Sequence, residues 1–388
     1  MGAGEPEHNS IHCRNNDVPH DRRFEMTDEQ MSANPESQAQ SGGSDSEKKH
    51  GVLYIGVDLG TSRTSISASN GVRETVASAV GYPKDVVAMK LLGKEVLFGD
   101  EALQKRLSLN LYKPLEHGVL KSGDGEDSEG NLRAAKDLLK EAIRLAKARK
   151  DELVYAVIGA PAQASIHNKK AIIEAARESV DSVMLCSEPF AVAYGLDWLE
   201  DVLVIDIGAG TTDLCRMHGT MPEDADQITL NYAGDYLDRE LFKAFQEACT
   251  GADFTINMVK EIKEKYAYVS GSSETITVHF PVAGKPTPFE VTEVVKNTCK
   301  KIIPPIVEAL GSLVASFDPE FQERLKGRVL LAGGGSLIRG LDRAIEDEMR
   351  EKLGSGRVVR IEEPIYGGAN GALKIAHDMP EDFWEKLK

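Results

Sequence analysis

Two short segments of this chain carry the same chemically capable residues. Asp58-Leu59-Gly60-Thr61-Ser62-Arg63-Thr64 and Asp206-Ile207-Gly208-Ala209-Gly210-Thr211-Thr212 each set one aspartate ahead of a turn of small residues. Such a turn exposes backbone N–H groups and hydroxyls with little side-chain bulk, so a phosphate can approach closely. Two such turns facing one cleft would grip a polyphosphate from opposite sides. Asp58 and Asp206 beside it suit magnesium, which keeps several waters and is commonly held by one or two carboxylates plus substrate phosphates. A third carboxylate, Glu188, opens the apolar stretch that follows Ser187. At a helix start it would complement the helix dipole. Between two phosphate turns it would instead orient a water for attack on a terminal phosphate. The run Gly333-Gly334-Gly335-Ser336 offers bare backbone on which a flat ligand can lie. No Gly-Lys-Ser/Thr triplet exists in the chain, so a P-loop is excluded, and Gly-x-Gly-x-x-Gly is absent too.

The elements that must position these groups are legible as repeats. Gly51–Asp58 is an apolar run too short for a helix, and near-continuous apolar strands belong to sheets covered on both faces. It leads through its turn into a second strand, and Asp201–Leu214 does the same. The segments superimpose with Asp58 on Asp206, Gly60 on Gly208, Thr64 on Thr212 and Ile66 on Leu214. A second pair follows in the same order. Leu153–Pro161 is a strand and loop ahead of a helix near 166–178, and Arg328–Gly335 is a strand and loop ahead of a helix near 338–352. Two unlike pieces recurring in order predict an α/β protein of two duplicated halves facing each other across a cleft. Helical spacing predicts an amphipathic helix over 131–149 after a loop at 121–130, and alternation predicts a small β-rich insertion at 271–290. A further helix over 256–268 carries Lys263 and Glu264 on a polar face. That face is either solvated or in contact with a base or ribose.

Composition narrows the function classes. The 388 residues are enough for two domains. With 62 acidic against 46 basic residues the net charge is −16, which disfavours nucleic acid and anionic membrane surfaces as main partners. The 5 scattered cysteines form no CxxC pair and fit thiols in a reducing cytosol. No apolar run is long enough to span a bilayer, and residues 1–49 lack the apolar stretch of a signal peptide. Those residues are acidic, polar and poor in aliphatics, so they are expected to form a disordered tail, with Met26 and Met31 as alternative starts.

Taken together, Val57–Thr61, Ile205–Asp213, Leu331–Ser336, Ser187–Pro189 and Gly367–Leu373 resemble, in order, the phosphate, adenosine and hinge motifs of the actin–Hsp70–sugar-kinase ATPases. The resemblance covers roughly residues 51–380. Within that superfamily the chain is similar to bacterial actins. Gly81–Asp85, Leu91–Lys94, Phe98–Ala102, His218–Pro222 and Asp226–Leu230 resemble those that organise magnetosome chains. The resemblance implies an actin-like fold with domain I over 51–195 plus 365–388 (a small insertion at about 83–117) and domain II over 196–364 (a small insertion at about 225–300). It implies ATP/ADP with Mg2+ in the cleft and slow hydrolysis coupled to a homopolymer filament. That filament would be cytoplasmic, lie along the magnetosome chain with magnetosome-associated proteins, bind no nucleic acid and insert in no membrane. By motif, Glu188 and Asp206 would be catalytic and Asp58 and Asp206 would serve the metal. Gly60, Thr61, Ser62, Arg63, Gly208, Ala209, Gly210, Thr211 and Thr212 would line the phosphates. Gly333, Gly334, Gly335, Ser336, Leu337, Lys263 and Glu264 would surround the adenosine, with Gly234 nearby. Eukaryotic actins carry a lysine where this chain has Ser65, so charge on the phosphate must come from elsewhere, from Arg63 or the metal. The competing readings are a sugar- or acetate-type kinase on the same core, and a plasmid-segregation or cell-shape actin. No acceptor-substrate motif supports the first, and residues 1–50 hold no amphipathic anchor of the kind a cell-shape actin often carries.

Overall fold

A computed structural model describes residues 51–121, 126–271 and 274–387. The expected tail at 1–49 lies outside the described residues. Ten strands form the two main sheets. The first sheet contains β1 (Val52–Leu59), β2 (Arg63–Ala68), β3 (Arg73–Ala77), β4 (Leu153–Ala160) and β5 (Ser182–Ser187), in the order β3-β2-β1-β4-β5. The second contains β6 (Val202–Ile207), β7 (Thr212–Met217), β8 (Gln227–Leu230), β9 (Val329–Ala332) and β10 (Val358–Arg360), in the order β8-β7-β6-β9-β10. The two orders are the same topology. In each, two antiparallel pairs lead from the edge to the centre and two parallel pairs complete the sheet. The register agrees as well: Val57 pairs with Ile66 as Ile205 pairs with Leu214, and Asp58 with Ser65 as Asp206 with Asp213. The repeats read from the sequence are therefore structural equivalents.

The central strands are apolar throughout because both of their faces are covered. On β4, Val154, Ala156 and Ile158 join the core shared with α1 (Glu126–Leu145) and α2 (Ile166–Arg177), while Tyr155 and Val157 face the opposite way. On β6, Leu203, Ile205 and Ile207 face the core under α4 (Gly234–Ala248), α5 (Ile256–Tyr266), α6 (Ile303–Ala315) and α7 (Leu341–Leu353). Val202 and Val204 join the other face of β4 through α3 (Glu188–Gly195) and α8 (Gly367–Asp378). Those two helices thus connect the sheets. They cross so closely that a Cβ on Gly371 would lie 1.7 Å from the Ala191 carbonyl oxygen, so only glycine fits.

The local elements follow the sequence reading with shifted bounds, and the largest shift has a physical cause. The helix expected over 131–149 runs instead over Glu126–Leu145, inside the stretch read as a loop. Acidic residue types suit a first helical turn, and Gly130 is held against the Tyr112 ring, where a Cβ would come within 2.5 Å. The helix stops early because Lys147 is left-handed, with φ 56°. The helix expected near 338–352 is Leu341–Leu353, and a separate 3₁₀ turn, Gly334–Leu337, precedes it. The predicted β insertion is the hairpin Thr277–Val282 with Lys285–Glu290. A second small subdomain holds strands Val80–Pro83, Leu97–Phe98 and Leu109–Tyr112 with helix Val86–Leu92. Among the described residues, no helix is long and apolar enough to cross a membrane.

Candidate functional site

Duplication brings the two hairpin aspartates to matching strand ends, and α3 adds Glu188 beside them. Asp206 is 7% exposed and Glu188 9%, and a fourth carboxylate, Asp213, is 1% exposed on β7 opposite Asp206. All four are shifted toward the protonated form. Burial is the first cause in every case, and mutual repulsion follows for three of them. Asp58 is pushed up to about 6 by loss of water and by Asp213. Glu188 rises through burial and then through Asp58, Asp213 and Asp206. Asp206 rises through burial, Asp58 and Asp213. Asp213 is raised by burial although Thr229, Thr211 and the Ala162 amide donate to it and pull the other way. No lysine or arginine figures among the causes for any of the four. Such a cluster fits a divalent cation on its donor chemistry, because buried like charges need compensation. Among the described residues no group of three or more His, Cys, Asp or Glu is arranged to hold a metal alone.

The turns are held from behind by neighbouring hydroxyls and amides. In the first, the Ser78 hydroxyl donates to the Gly60 carbonyl at 2.6 Å and the Gly118 amide donates to Thr61 Oγ1 at 2.8 Å. In the second, the Gly234 and Asp235 amides at the start of α4 donate to the Gly208 and Ala209 carbonyls at 3.1 and 2.7 Å. Among the described residues, the amides of Thr61, Ser62, Ala209 and Gly210 have no hydrogen-bond partner. The turns also meet across the cleft. His117 Nδ1 lies 3.0 Å from the Gly210 carbonyl, and the Ala162 amide donates to Asp213 Oδ1 at 3.0 Å.

The remaining predicted residues divide. Gly333, with φ 76°, closes on Asp206: a Cβ there would lie 2.3 Å from Asp206 Oδ1. Gly334 faces open space, Gly335 packs on Ile207 and Leu337 is exposed, so this turn presents backbone to the cleft. The Ser336 hydroxyl donates to the Gly333 carbonyl at 2.7 Å, and Thr212 Oγ1 donates to the Tyr232 carbonyl at 2.7 Å, so both hydroxyls serve the fold. Lys263 ion-pairs with Asp238 at 2.7 Å and donates to the Gly234 carbonyl at 2.7 Å. Its charge is thus committed beneath α4, while Glu264 is exposed one turn beyond Lys260. Arg63 is exposed. The cation that does reach the first turn is Lys260 of α5, whose Nζ donates to Ser62 Oγ at 2.6 Å. Sequence reasoning missed Lys260, Asp213 and His117. Lys260 lies one helical turn before Lys263 and Glu264 on the same face, and Asp213 ends the second phosphate segment, so for these two the signal was present.

Comparison with known proteins agrees with this architecture. The family described as MreB/Mbl protein matches residues 53–381. The actin-like protein MamK of Paramagnetospirillum magneticum is 39% identical over 335 residues, which cover 86% of this chain and 95% of that one. A solved MamK double helical filament matches with a TM-score of 0.81 at 40% identity, covering 84% of this chain and 99% of that chain. A non-polymerising MamK mutant bound to AMPPNP matches with a TM-score of 0.65 at 39% identity, again over 84% and 99%. The fold is actin-like.

Proposed function

The chain belongs to the MreB/Mbl family of actin-like proteins, and on that premise we propose that it binds and slowly hydrolyses ATP in the cleft and polymerises into filaments. The observation that carries the reading is the cluster of Asp58, Glu188, Asp206 and Asp213 between two turns with unpartnered amides. The solved relatives at about 40% identity, one a filament and one bound to AMPPNP, support it.

The geometry supports a division of labour. The amides of Thr61, Ser62, Ala209 and Gly210 cradle the phosphates, and Lys260 brings to the first turn the charge that Ser65 lacks. Backbone of Gly333 and Gly334 lies along the adenosine, and Lys263, held by Asp238, fixes the Gly234 end of α4 beside it. Magnesium, when bound, would supply the positive charge that keeps Asp58 and Asp206 ionised. Glu188 is buried at a helix start with a raised proton affinity, as suits a group that takes a proton from an attacking water. Burial excludes bulk water from the same spot. Opposing turns drawn together on one polyphosphate would set the angle between the sheets, and α3 and α8, which connect them, would carry that angle to the outer surface.

We extend the reading to place and cargo: a cytoplasmic filament along a magnetosome chain, with magnetosome-associated proteins as further partners. The likeness to MamK over most of both chains supports this. Sedimentation and electron microscopy with ATP, ADP or no nucleotide test the core of the proposal. ATP-dependent polymers and phosphate release are expected. Phosphorylation of a sugar or acetate without polymers would transfer the assignment to the kinase reading.

A further inference from the structure

The free edge of the first sheet faces a groove that nothing in the described chain fills. Strand β3 is that edge: it pairs with β2 on one side and with no strand on the other. The ladder fixes which of its groups are unpaired. The Ser78 amide donates to the Ser62 carbonyl and the Ala68 amide to the Val72 carbonyl, both at 2.9 Å. Hydrogen-bonded pairs alternate along an antiparallel ladder, so Glu74 and Val76 bond to β2 while Arg73, Thr75 and Ala77 turn their amides outward. Among the described residues those three amides and the Thr75 carbonyl have no partner. Beyond the edge lies a cavity of about 460 Å³, with Glu74–Ala77 on one side and Val96–Glu101 on the other. Helix α1 adds Glu141, Arg144 and Leu145 to its lining. One end is shut where the Gly99 amide donates to the Ala79 carbonyl at 2.9 Å, and a Cβ on Gly99 would lie 2.9 Å from Val76 Cγ2.

We propose that this groove takes an extended segment of another protein, added beside β3 as a further strand and carrying lysine or arginine. An unpaired strand edge is a template for pairing. Strand addition draws affinity from main-chain bonds and specificity from alternate side chains. Val76, Val96, Phe98 and Leu145 lie half-buried along the groove and would cover the apolar side chains of such a segment. Charge selects the rest. The lining holds four carboxylates, Glu74, Asp100, Glu101 and Glu141, against two cations, Lys94 and Arg144. Both cations are already spent there, Lys94 on Glu101 at 2.9 Å and Arg144 on Glu141 at 2.6 Å. The neighbouring Arg73 is turned to Glu363 at 2.9 Å. Glu74 and Asp100 are thus the carboxylates left for an incoming cation. None of the lining residues belongs to the nucleotide site, so the proposal stands apart from the filament reading.

The test uses a fluorescein-labelled peptide, Thr-Val-Lys-Val-Lys-Val-Thr, with the full chain, read by anisotropy and by amide hydrogen exchange. Saturable binding is expected, with slowed exchange at Thr75 and Ala77. The same peptide with glutamate for both lysines should bind at least roughly tenfold more weakly. N-methylation of its valine amides, or of its lysine amides, should abolish binding in one case and spare it in the other, because only alternate amides can face β3. Thr75→Pro removes one outward amide and leaves the bonds to β2, a placement that edge strands tolerate, and should weaken binding at least roughly tenfold. Glu74→Gln with Asp100→Asn should weaken it by a similar factor and flatten its salt dependence. A fluorescent ATP analogue checks that each variant is folded, and if Thr75→Pro fails that check the N-methylated peptides decide on the wild-type chain. No binding of the cationic peptide at about 1 mM, equal binding of the acidic one, or unaltered affinity in both variants would overturn the proposal. A raised critical concentration for polymers in Thr75→Pro, with no peptide binding to wild type, would overturn it in favour of a second copy on this edge.

Discussion

Replacing Asp58 by Asn should stabilise the nucleotide-free protein and weaken its hold on ATP with magnesium. Asp58 ionises near 3.8 without the fold and at about 6 within it, because burial and Asp213 oppose its charge. The folded state therefore holds the Asp58 proton more tightly than the unfolded chain does. The contribution of Asp58 to stability is fully present only below about pH 4 and is lost as pH rises through about 6. Above that, the ionised carboxylate costs about 3 kcal/mol, at about 1.4 kcal/mol for each pH unit between the two values. Asparagine removes that cost, and it also relieves Glu188 and Asp206, both of which Asp58 pushes up. For a folded unit of roughly 340 residues, the unfolding entropy is roughly 0.7 kcal/mol per kelvin, so 3 kcal/mol corresponds to a midpoint rise of about 4 °C at pH 7. The assay is thermal unfolding of both proteins without nucleotide from pH 4 to pH 8, repeated with ATP and magnesium. The gain should vanish near pH 4, and added ligand should raise the midpoint of wild type more than that of the variant. A variant less stable than wild type at pH 7, or a gain that persists undiminished at pH 4, would refute the argument that charge repulsion is stored here for a cation.

Further tests separate the other roles. Glu188→Ala should retain nucleotide binding and lower turnover by roughly 10²–10⁴-fold, with polymers that form but disassemble poorly; unchanged phosphate release would take Glu188 out of the chemistry. Asp206→Ala should cost more in turnover than in ATP affinity, and equal losses measured by stopped-flow binding and phosphate release would contradict that. Lys260→Ala should weaken ATP binding by roughly tenfold, the value of one charge-assisted hydrogen bond, with Lys260→Arg restoring part of it; equal dissociation constants for all three proteins would show that Lys260 does not reach the phosphates. Gly371→Val forces side-chain atoms into the Ala191 backbone, where neither helix can yield, and should lower stability by at least about 3 kcal/mol in denaturant titration.

Much of this fold was legible because duplication repeats its signals. One Asp-x-Gly-Thr turn is weak, but two with matching partners at matching offsets fix register as well as topology, and the pairing of Ile66 with Val57 and Leu214 with Ile205 follows that alignment residue by residue. What remained hidden was decided by contacts between segments distant in sequence. Gly130, early in α1, meets the ring of Tyr112, a contact no local propensity encodes. Lys260 gains its role from Ser62, 198 residues away. Thr212 and Ser336 have the right chemistry for a ligand, yet their hydroxyls are taken by neighbouring carbonyls. Lys263, which the resemblance sets beside the adenosine, is also the buried partner of Asp238, a pairing that spacing does not encode. The pattern has one physical origin. Residue type and spacing determine what a strand end or turn can offer, and backbone amides in a glycine turn are offered whatever surrounds them. A side chain with a long reach or a rotatable hydroxyl chooses its partner only after the sheets have come together. Sites built on backbone are therefore readable early, while the side chains that tune them become readable only with the cleft assembled.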